Sequence, residues 1–341
     1  EIYTLSLHDA LPIYQPPVSH LRAVPSGPTP PSRSGSATSV RVEAPGKVNL
    51  FLSCGARGAD GYHPLTTVFQ AVRLIETVTA RRQAVGARGR VTLTVEGGPP
   101  GLPVDERNLA VRAALLLART TGVREGVDLL LRKRVPVAGG MAGGSADAAA
   151  ALVACNQLWG TGLNPAELTE LAARLGADVP FPLLGATAVG HGRGDDLSPL
   201  MTRGTYQWVF ALAHEGLSTP VVFARFDELA AAAGRAPVTR EVPDALTTAL
   251  RTGDPGALAP ALHNDLQAAA VDLRPAIAEV IALAERAGAL RAIVSGSGPT
   301  VAALVPEAAT AMRVCRTLTA SGLVSGTVRA DAPVAGARAV G

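Results

Sequence analysis

Val135-Pro-Val-Ala-Gly-Gly-Met-Ala-Gly-Gly-Ser-Ala-Asp-Ala-Ala-Ala-Ala151 passes from a glycine-crowded segment straight into an alanine-rich one. Gly139, Gly140, Gly143 and Gly144 open backbone conformations closed to residues with a Cβ and let N–H groups come close to a ligand. From Ser145 to residue 152 the composition reads as helix. The junction therefore offers unpaired N–H donors and the positive end of a helix dipole, about half a unit charge, which suits a phosphate. The plainer alternative is a flexible turn before a core helix. Upstream, Val127-Asp-Leu-Leu-Leu-Arg-Lys133 reads as a buried strand, and the order strand, glycine loop, helix favours anion binding.

Two familiar phosphate loops do not fit. Gly139-x-x-x-x-Gly144 is followed by Ser145 where a Walker loop needs lysine, and no glycine triplet matches the dinucleotide fingerprint. A third kind of phosphate loop is required.

The 341 residues can hold two domains and bury a sizeable core. Alanine inflates the hydrophobic share of 48%, and the uncharged run 148–166 is interrupted by Asn156, Gln157, glycine and proline, so no membrane span and no membrane partner are expected. A net charge of +3 and 4% aromatic residues give little basis for nucleic acid as a partner. Cys54, Cys155 and Cys315 are odd in number and far apart, without zinc or disulfide spacing, which points to a reducing, cytoplasmic setting. Of the 31 basic residues only Lys47 and Lys133 are lysine, and a compact ammonium does what a planar guanidinium cannot, so both are site candidates.

Residues 1–38 read as a disordered or non-native leader, rich in Pro, Ser, Gly and Arg from residue 15 on, with a transit peptide as the open alternative. Strands are expected at 40–43 and 48–53, broken by Ala44-Pro-Gly-Lys47, and again at 68–80 and 91–96. Asp105 is expected to cap a helix reaching Thr121, and Asn164-Pro165 to open one that Gly176 ends. The polar turn His191-Gly-Arg-Gly-Asp-Asp196 marks the expected domain boundary, giving domains at 39–193 and 194–335. Beyond it come a strand at 207–213, helices from Thr219-Pro220 to Gly288, strands at 291–295 and 300–305, a helix at 307–320 and a strand at 326–330. Strands mixed with helices in no strict βαβ order give an α+β fold.

Phosphoryl transfer needs a phosphate cradle, a charge-spreading cation and a group that orients the attacking hydroxyl. Ser145 at the helix start can touch a phosphate or a magnesium ion, or simply cap the helix. Asp178, between Ala177 and Val179, is a carboxylate in apolar company able to accept a hydroxyl proton, or a cap for the next turn. Lys47 can pair with it, and Asn49 shares the face of Lys47 two residues on. Tyr62-His63 offers an aromatic face and a polar ring edge in an exposed turn, as a base pocket requires. Ser295-Gly-Ser-Gly-Pro299 is a second small-residue loop between strands.

Together these pieces resemble the GHMP kinase superfamily, whose three motifs match in order at Ala44-Pro-Gly-Lys-Val-Asn-Leu50, at 135–147 and at Ser295-Gly-Ser-Gly-Pro299. Within it, Ala59-Asp-Gly-Tyr-His-Pro-Leu-Thr-Thr-Val-Phe-Gln70, Gly176-Ala-Asp-Val-Pro-Phe181 and His263-Asn-Asp-Leu266 are similar to the branch acting on a cytidine diphosphate-linked methylerythritol. The resemblance covers residues 40–330. It implies an α+β two-domain GHMP kinase fold, with a ribosomal protein S5 domain 2-like N-terminal domain and a ferredoxin-like C-terminal one. It also implies ATP and Mg2+, and phosphorylation of that small molecule's 2-hydroxyl for isoprenoid synthesis, by a monomer or homodimer.

Residue by residue, the resemblance implies Asp178 as general base with Lys47 as its electrostatic partner, and Asn49 orienting the substrate. Tyr62, His63 and Phe223 would hold the cytosine, with Thr219 near the substrate phosphates. Asn108 and Lys133 would lie near the adenosine, while Pro136, Gly139, Gly140, Gly143, Gly144 and Ser145 would form the phosphate cradle. Ala146 stands where many relatives have a second serine, which weakens the case for tight magnesium coordination by the loop. Two other readings stay open: a GHMP kinase for homoserine or mevalonate, and a nucleotide-binding protein of this fold without catalysis.

Overall fold

The structure is a computed structural model and describes residues 38–83, 90–137 and 139–340. The leader expected over 1–38 therefore falls, Thr38 apart, outside the described residues. The first half comprises strands β1 (Ser39–Cys54), β2 (Leu65–Arg82), β3 (Val91–Glu96), helix α1 (Leu109–Thr121), β4 (Val127–Arg132), α2 (Gly143–Trp159), α3 (Pro165–Leu175), α4 (Pro180–Leu184), β5 (Thr187–His191) and β6 (Asp196–Pro199). The second half holds β7 (Tyr206–Leu212), α5 (Thr219–Ala232), α6 (Asp244–Thr252), α7 (Pro255–Leu258), β8 (His263–Asn264), α8 (Gln267–Leu273), α9 (Ala276–Arg286), β9 (Arg291–Val294), β10 (Val301–Val305), α10 (Ala308–Ala320), β11 (Gly326–Ala332) and β12 (Arg338–Val340).

One sheet runs β12-β1-β2-β4-β3, with β5 and then β6 continuing from β2, and β8 lying beside β1. The other runs β11-β7-β10-β9, all antiparallel. Numbered within the second half that order is 4-1-3-2 with helices between, which is the ferredoxin-like arrangement. The fold is α+β, as the sequence pattern implies.

The molecule is layered. Helices α1, α2 and α3 bury Ala114, Leu117, Leu152, Leu158 and Leu171 against one face of the first sheet. The opposite face presents Val48, Leu50 and Val72, which pack against Tyr206, Trp208, Phe210 and Leu304 of the second sheet. Beyond that sheet α8, α9 and α10 cover Val209, Val294 and Val301. Apolar side chains on both faces of each sheet explain why its strands read as near-continuous hydrophobic runs.

Three expectations are corrected. Ala44-Pro-Gly-Lys47 does not break the first strand, because β1 is continuous and absorbs Pro45 and Gly46 as a register shift against β2. Proline is tolerated within a sheet at such an irregularity, where no ladder hydrogen bond is lost. Asn108, not Asp105, caps α1, its side chain accepting from Ala110 N at 2.9 Å. Asp105 instead accepts from the Arg107 backbone and pairs with the Arg107 guanidinium. Tyr62-His63 is no exposed turn either, since His63 is buried.

The turn after His191 joins β5 to β6 in a hairpin, so the first sheet continues to Pro199. Later still β8 and β12 return to that sheet from the second half.

Candidate active site

Lys47 and Asn49 lie between two register shifts in β1, one at Pro45/Gly46 and one at Asn49/Phe51. Such irregularities re-aim a strand locally. Here they bring the backbone to the glycine loop, where Lys47 N donates to Met141 O at 3.1 Å. The side chains of residues 47 and 49 share a face, as strand alternation requires: Lys47 Nζ donates to Asn49 Oδ1 at 2.6 Å, and Asn49 Nδ2 to Thr67 Oγ1 at 2.8 Å. Burial lowers the pKa of the Lys47 ammonium, and the carboxylate of Asp178 opposes that shift. Asp178 itself is half-buried in the turn between α3 and α4, so Lys47 and Asp178 sense one another across the site although far apart in sequence.

The glycine loop ends in α2, whose N-cap Ala142 is left-handed and supplies no side-chain hydrogen bond. The first N–H groups of the helix, at Gly143, Gly144 and Ser145, are thus open to an anion. Gly140 has φ 69°, and a Cβ there would stand 2.0 Å from Ser295 O, so this loop and the 295–299 loop touch through bare backbone. Ser295 Oγ donates to Gly140 O at 3.2 Å across the same contact. Pro136 begins the loop, half-buried. Beside the loop, Leu109 Cδ1 comes within 3.5 Å of the space a Gly144 Cβ would fill, which sets the start of α1 and Asn108 against the cradle.

Two residues expected near the adenosine are occupied within the protein. Asn108 uses its carbonyl as the α1 cap and donates Nδ2 to Pro103 O at 2.9 Å. Lys133 Nζ is enclosed under the loop by Glu76 Oε1 at 2.6 Å and Asp147 Oδ2 at 2.7 Å. Glu76 also accepts from the N–H groups of Arg134 and Val135, so one carboxylate ties the lysine to the start of the loop while Asp147 ties it to α2. Burial alone would lower the Lys133 pKa, but Asp147 and Glu76 outweigh it and raise it. Burial, then Asp147, pushes Glu76 up to about 7, and burial raises Asp147 as well.

At the far end of β1 is an aromatic cluster. His63 donates Nδ1–H to Gly55 O at 2.9 Å, stacks on Phe223 with centroids 4.9 Å apart, and lies edge-on to Phe226 at 6.0 Å. Its Nε2 faces Asp227 Oδ2 at 3.4 Å. The neighbouring Tyr62 ring carries the Arg193 guanidinium at 5.3 Å. One turn before Phe223 on α5, Thr219 Oγ1 is 2.8 Å from Ser297 Oγ. A Cβ on Gly296 would lie 3.2 Å from Lys47 Nζ and 3.1 Å from Gly140 O. The 295–299 loop thus forms a wall along which the aromatic cluster, Thr219, Lys47 with Asn49, and the glycine cradle follow in a row.

Sequence reading gave no role to Glu76, nor to Asp147, Asn264 and Asp265, although the last three lie within motifs it singled out. Glu76 is an acid inside the apolar strand β2 and fully buried, a signal visible in hindsight as a charge in the middle of an apolar run. Asp265 accepts from Ser53 Oγ and Cys54 N, both at 2.9 Å, and pairs with Arg240 and His263. Burial opposes ionisation of Asp265, but these bonds, with His263 foremost, hold its pKa down at about 2.

Residues 108–186 match the GHMP kinases N terminal domain and residues 246–322 the GHMP kinases C terminal domain. A 4-diphosphocytidyl-2-C-methyl-D-erythritol kinase of Salinispora tropica is 51% identical over 306 residues, covering 89% of this chain and 95% of the relative. The chain belongs to this family of GHMP kinases. A second such kinase, of Thermobifida fusca, is 50% identical over 89% of this chain and 99% of its own. A crystal structure of 4-(cytidine 5'-diphospho)-2C-methyl-D-erythritol kinase superposes with TM-score 0.70 at 31% identity, covering 86% of this chain and 99% of that one. Membership of the GHMP kinases makes the protein an ATP-dependent small-molecule kinase. Among the described residues no helix is long and apolar enough to cross a membrane.

Proposed function

We propose that the protein transfers the γ-phosphoryl group of ATP to the 2-hydroxyl of 4-diphosphocytidyl-2-C-methyl-D-erythritol, in the cytoplasm and as part of isoprenoid precursor synthesis. The observation that carries the reading is the single row from the His63–Phe223 stack, through Thr219 and Lys47–Asn49, to the Gly140 cradle. A base-bearing acceptor and a nucleotide donor laid along that row meet beside Lys47 and Asp178.

Tyr62, His63 and Phe223 take the cytosine, whose flat face suits an aromatic stack. For this, the ring of His63 parts from Phe223 or the base stacks on its outer side. Thr219 lies beside the acceptor's diphosphate. Gly139, Gly140, Gly143, Gly144 and Ser145, after Pro136, receive the ATP phosphates on backbone N–H groups at the start of α2, whose N-cap supplies no side-chain hydrogen bond. Asn108 and the Lys133 backbone border the adenosine. Magnesium, when bound with the nucleotide, spreads the charge of the β- and γ-phosphates; Ser145 is the loop residue that would hold it, the phosphates and water supplying the other ligands.

Asn49 orients the acceptor, and Asp178 accepts the proton of its 2-hydroxyl as that oxygen forms the bond to the γ-phosphorus. The bond from γ-phosphorus to the bridging oxygen breaks, and its electron pair leaves on ADP. Lys47, its ammonium held by Asn49 Oδ1 at 2.6 Å, stabilises charge on the transferred group. Asp178→Asn keeps the shape and removes the proton acceptor, so kcat should fall by about 10²–10⁴-fold with ATP affinity retained. Steady-state kinetics alongside nucleotide titration check this, and an Asp178→Asn enzyme at wild-type kcat would refute the assignment.

A further inference from the structure

The motif at 263–266 takes no part in the chemistry above, yet Asn264 is buried where the two sheets join. Its short strand β8 pairs in parallel with β1, with Asn264 opposite Leu52, so it belongs to the framework that carries Lys47 and Asn49. Across the join, Asn264 Nδ2 donates to Val294 O at 2.8 Å and to Gly296 O at 2.7 Å. Its Oδ1 accepts from Leu266 N at 2.9 Å. Both amide hydrogens are used, and a flipped amide would set oxygen against two carbonyls, so the orientation is fixed.

What Asn264 holds is the wall of the site. Val294 ends β9, and Gly296, at φ 57°, is the residue whose missing Cβ would lie 3.1 Å from Gly140 O, 3.2 Å from Lys47 Nζ and 3.5 Å from Asn49 Oδ1. A Cβ there would press on Gly140 O, and the left-handed φ is one that residues with a Cβ rarely adopt. The position of the 296 peptide therefore sets how close the phosphate cradle stands to Lys47 and Asn49, and Asn264 clamps that peptide from behind.

We infer that Asn264 is a positioning residue for phosphoryl transfer: it fixes the 295–299 loop at the spacing from Lys47, Asn49 and Gly140 at which acceptor hydroxyl and terminal phosphate meet. The inference rests on the kinase reading. Near-attack geometry is strict enough that a displacement of about 1 Å lowers rate on the order of 10²-fold. Loss of the clamp is therefore expected in kcat, while the aromatic cluster and the open N–H groups that bind the two substrates stay in place.

The experiment compares the full chain with Asn264→Ala and Asn264→Asp. It measures kcat, KM for ATP and for the cytidine acceptor, thermal melting, and amide hydrogen exchange over 295–300. Expected is a kcat loss of roughly 30- to 100-fold with both KM values within about threefold, and faster exchange at 295–300 but not in α1. Asn264→Asp should be no better than Asn264→Ala, because its carboxylate opposes two carbonyl oxygens. A kcat within about threefold of wild type in folded variants, or a loss that follows melting alone, would overturn the proposal. Should neither variant fold, Gly296→Ala displaces the same loop from its other side, and unchanged turnover there would equally overturn it. Wild-type turnover of the acceptor separates the two readings: without it the kinase reading falls and takes this inference with it, whereas with it and unaffected variants only this inference falls.

Discussion

At the scale of single residues, four glycines that look alike in sequence have different physical reasons to be there. Gly140 combines φ 69° with a Cβ position 2.0 Å from Ser295 O, whereas a Cβ on Gly144 would meet only Leu109 Cδ1 at 3.5 Å, an ordinary contact. Gly140→Ala is expected to lose about 3 kcal/mol or more, from a strained backbone and a backbone collision together. Gly144→Ala should melt within about 1 kcal/mol of wild type, since helix interiors favour alanine. Chemical denaturation of both variants measures the contrast, and equal losses would show that the 140–295 contact does not constrain the loop. That the glycines form one loop running into a helix was legible, because glycine spacing is a local property. Which glycine meets which backbone was not, because Ser295 arrives from a strand more than a hundred residues away.

At the scale of elements, the glycine loop is braced by charge. Lys133 bridges β2 and α2 through Glu76 and Asp147, and Asp147 Oδ1 is buried without a hydrogen-bond partner among the described residues. Two carboxylates around one ammonium leave a surplus negative charge below the glycine loop, and Glu76, pushed up to about 7, takes a proton there. The folded state then binds a proton that the unfolded chain releases above its ordinary value of 4.5, so this group's contribution is full below that value and fades as pH rises to about 7. The slope reaches at most about 1.4 kcal/mol per pH unit. Glu76→Gln should flatten the stability profile between these limits, measured by denaturant titration at several pH values; parallel profiles would place the proton elsewhere. Lys133 stood out in sequence through the scarcity of lysine, and the structure gives that scarcity a reason: a point charge between two buried carboxylates. The pairing itself was not readable, because it joins three elements. A similar limit applies to Pro45-Gly46, where the usual turn residues instead make an irregularity inside one long strand.

For the whole molecule, the α+β class and the order of most longer elements were visible in hydrophobic period together with turn and cap residues, whereas the short strands β5 and β6 were not. Strand β4 and helix α3 fall at the residues the pattern picks out, because each has its own caps or alternation. The joining of the halves was not visible. Val48 and Leu50 share a core with Trp208 and Phe210, and the two-residue strand β8 and the closing strand β12 carry too little pattern to announce that they rejoin the first sheet. The proposed site depends on that joining, since Lys47 and the glycine loop come from the first sheet's side while Thr219, Phe223 and the 295–299 loop come from the second. A site assembled this way should discriminate among acceptors, with the aromatic cluster demanding a base. The direct measurement is ADP formation from ATP with 4-diphosphocytidyl-2-C-methyl-D-erythritol, homoserine or mevalonate as acceptor. The account predicts turnover with the cytidine acceptor and a kcat/KM at least about 10²-fold lower with either of the others. Turnover confined to homoserine or mevalonate, or none with any of the three, would contradict it.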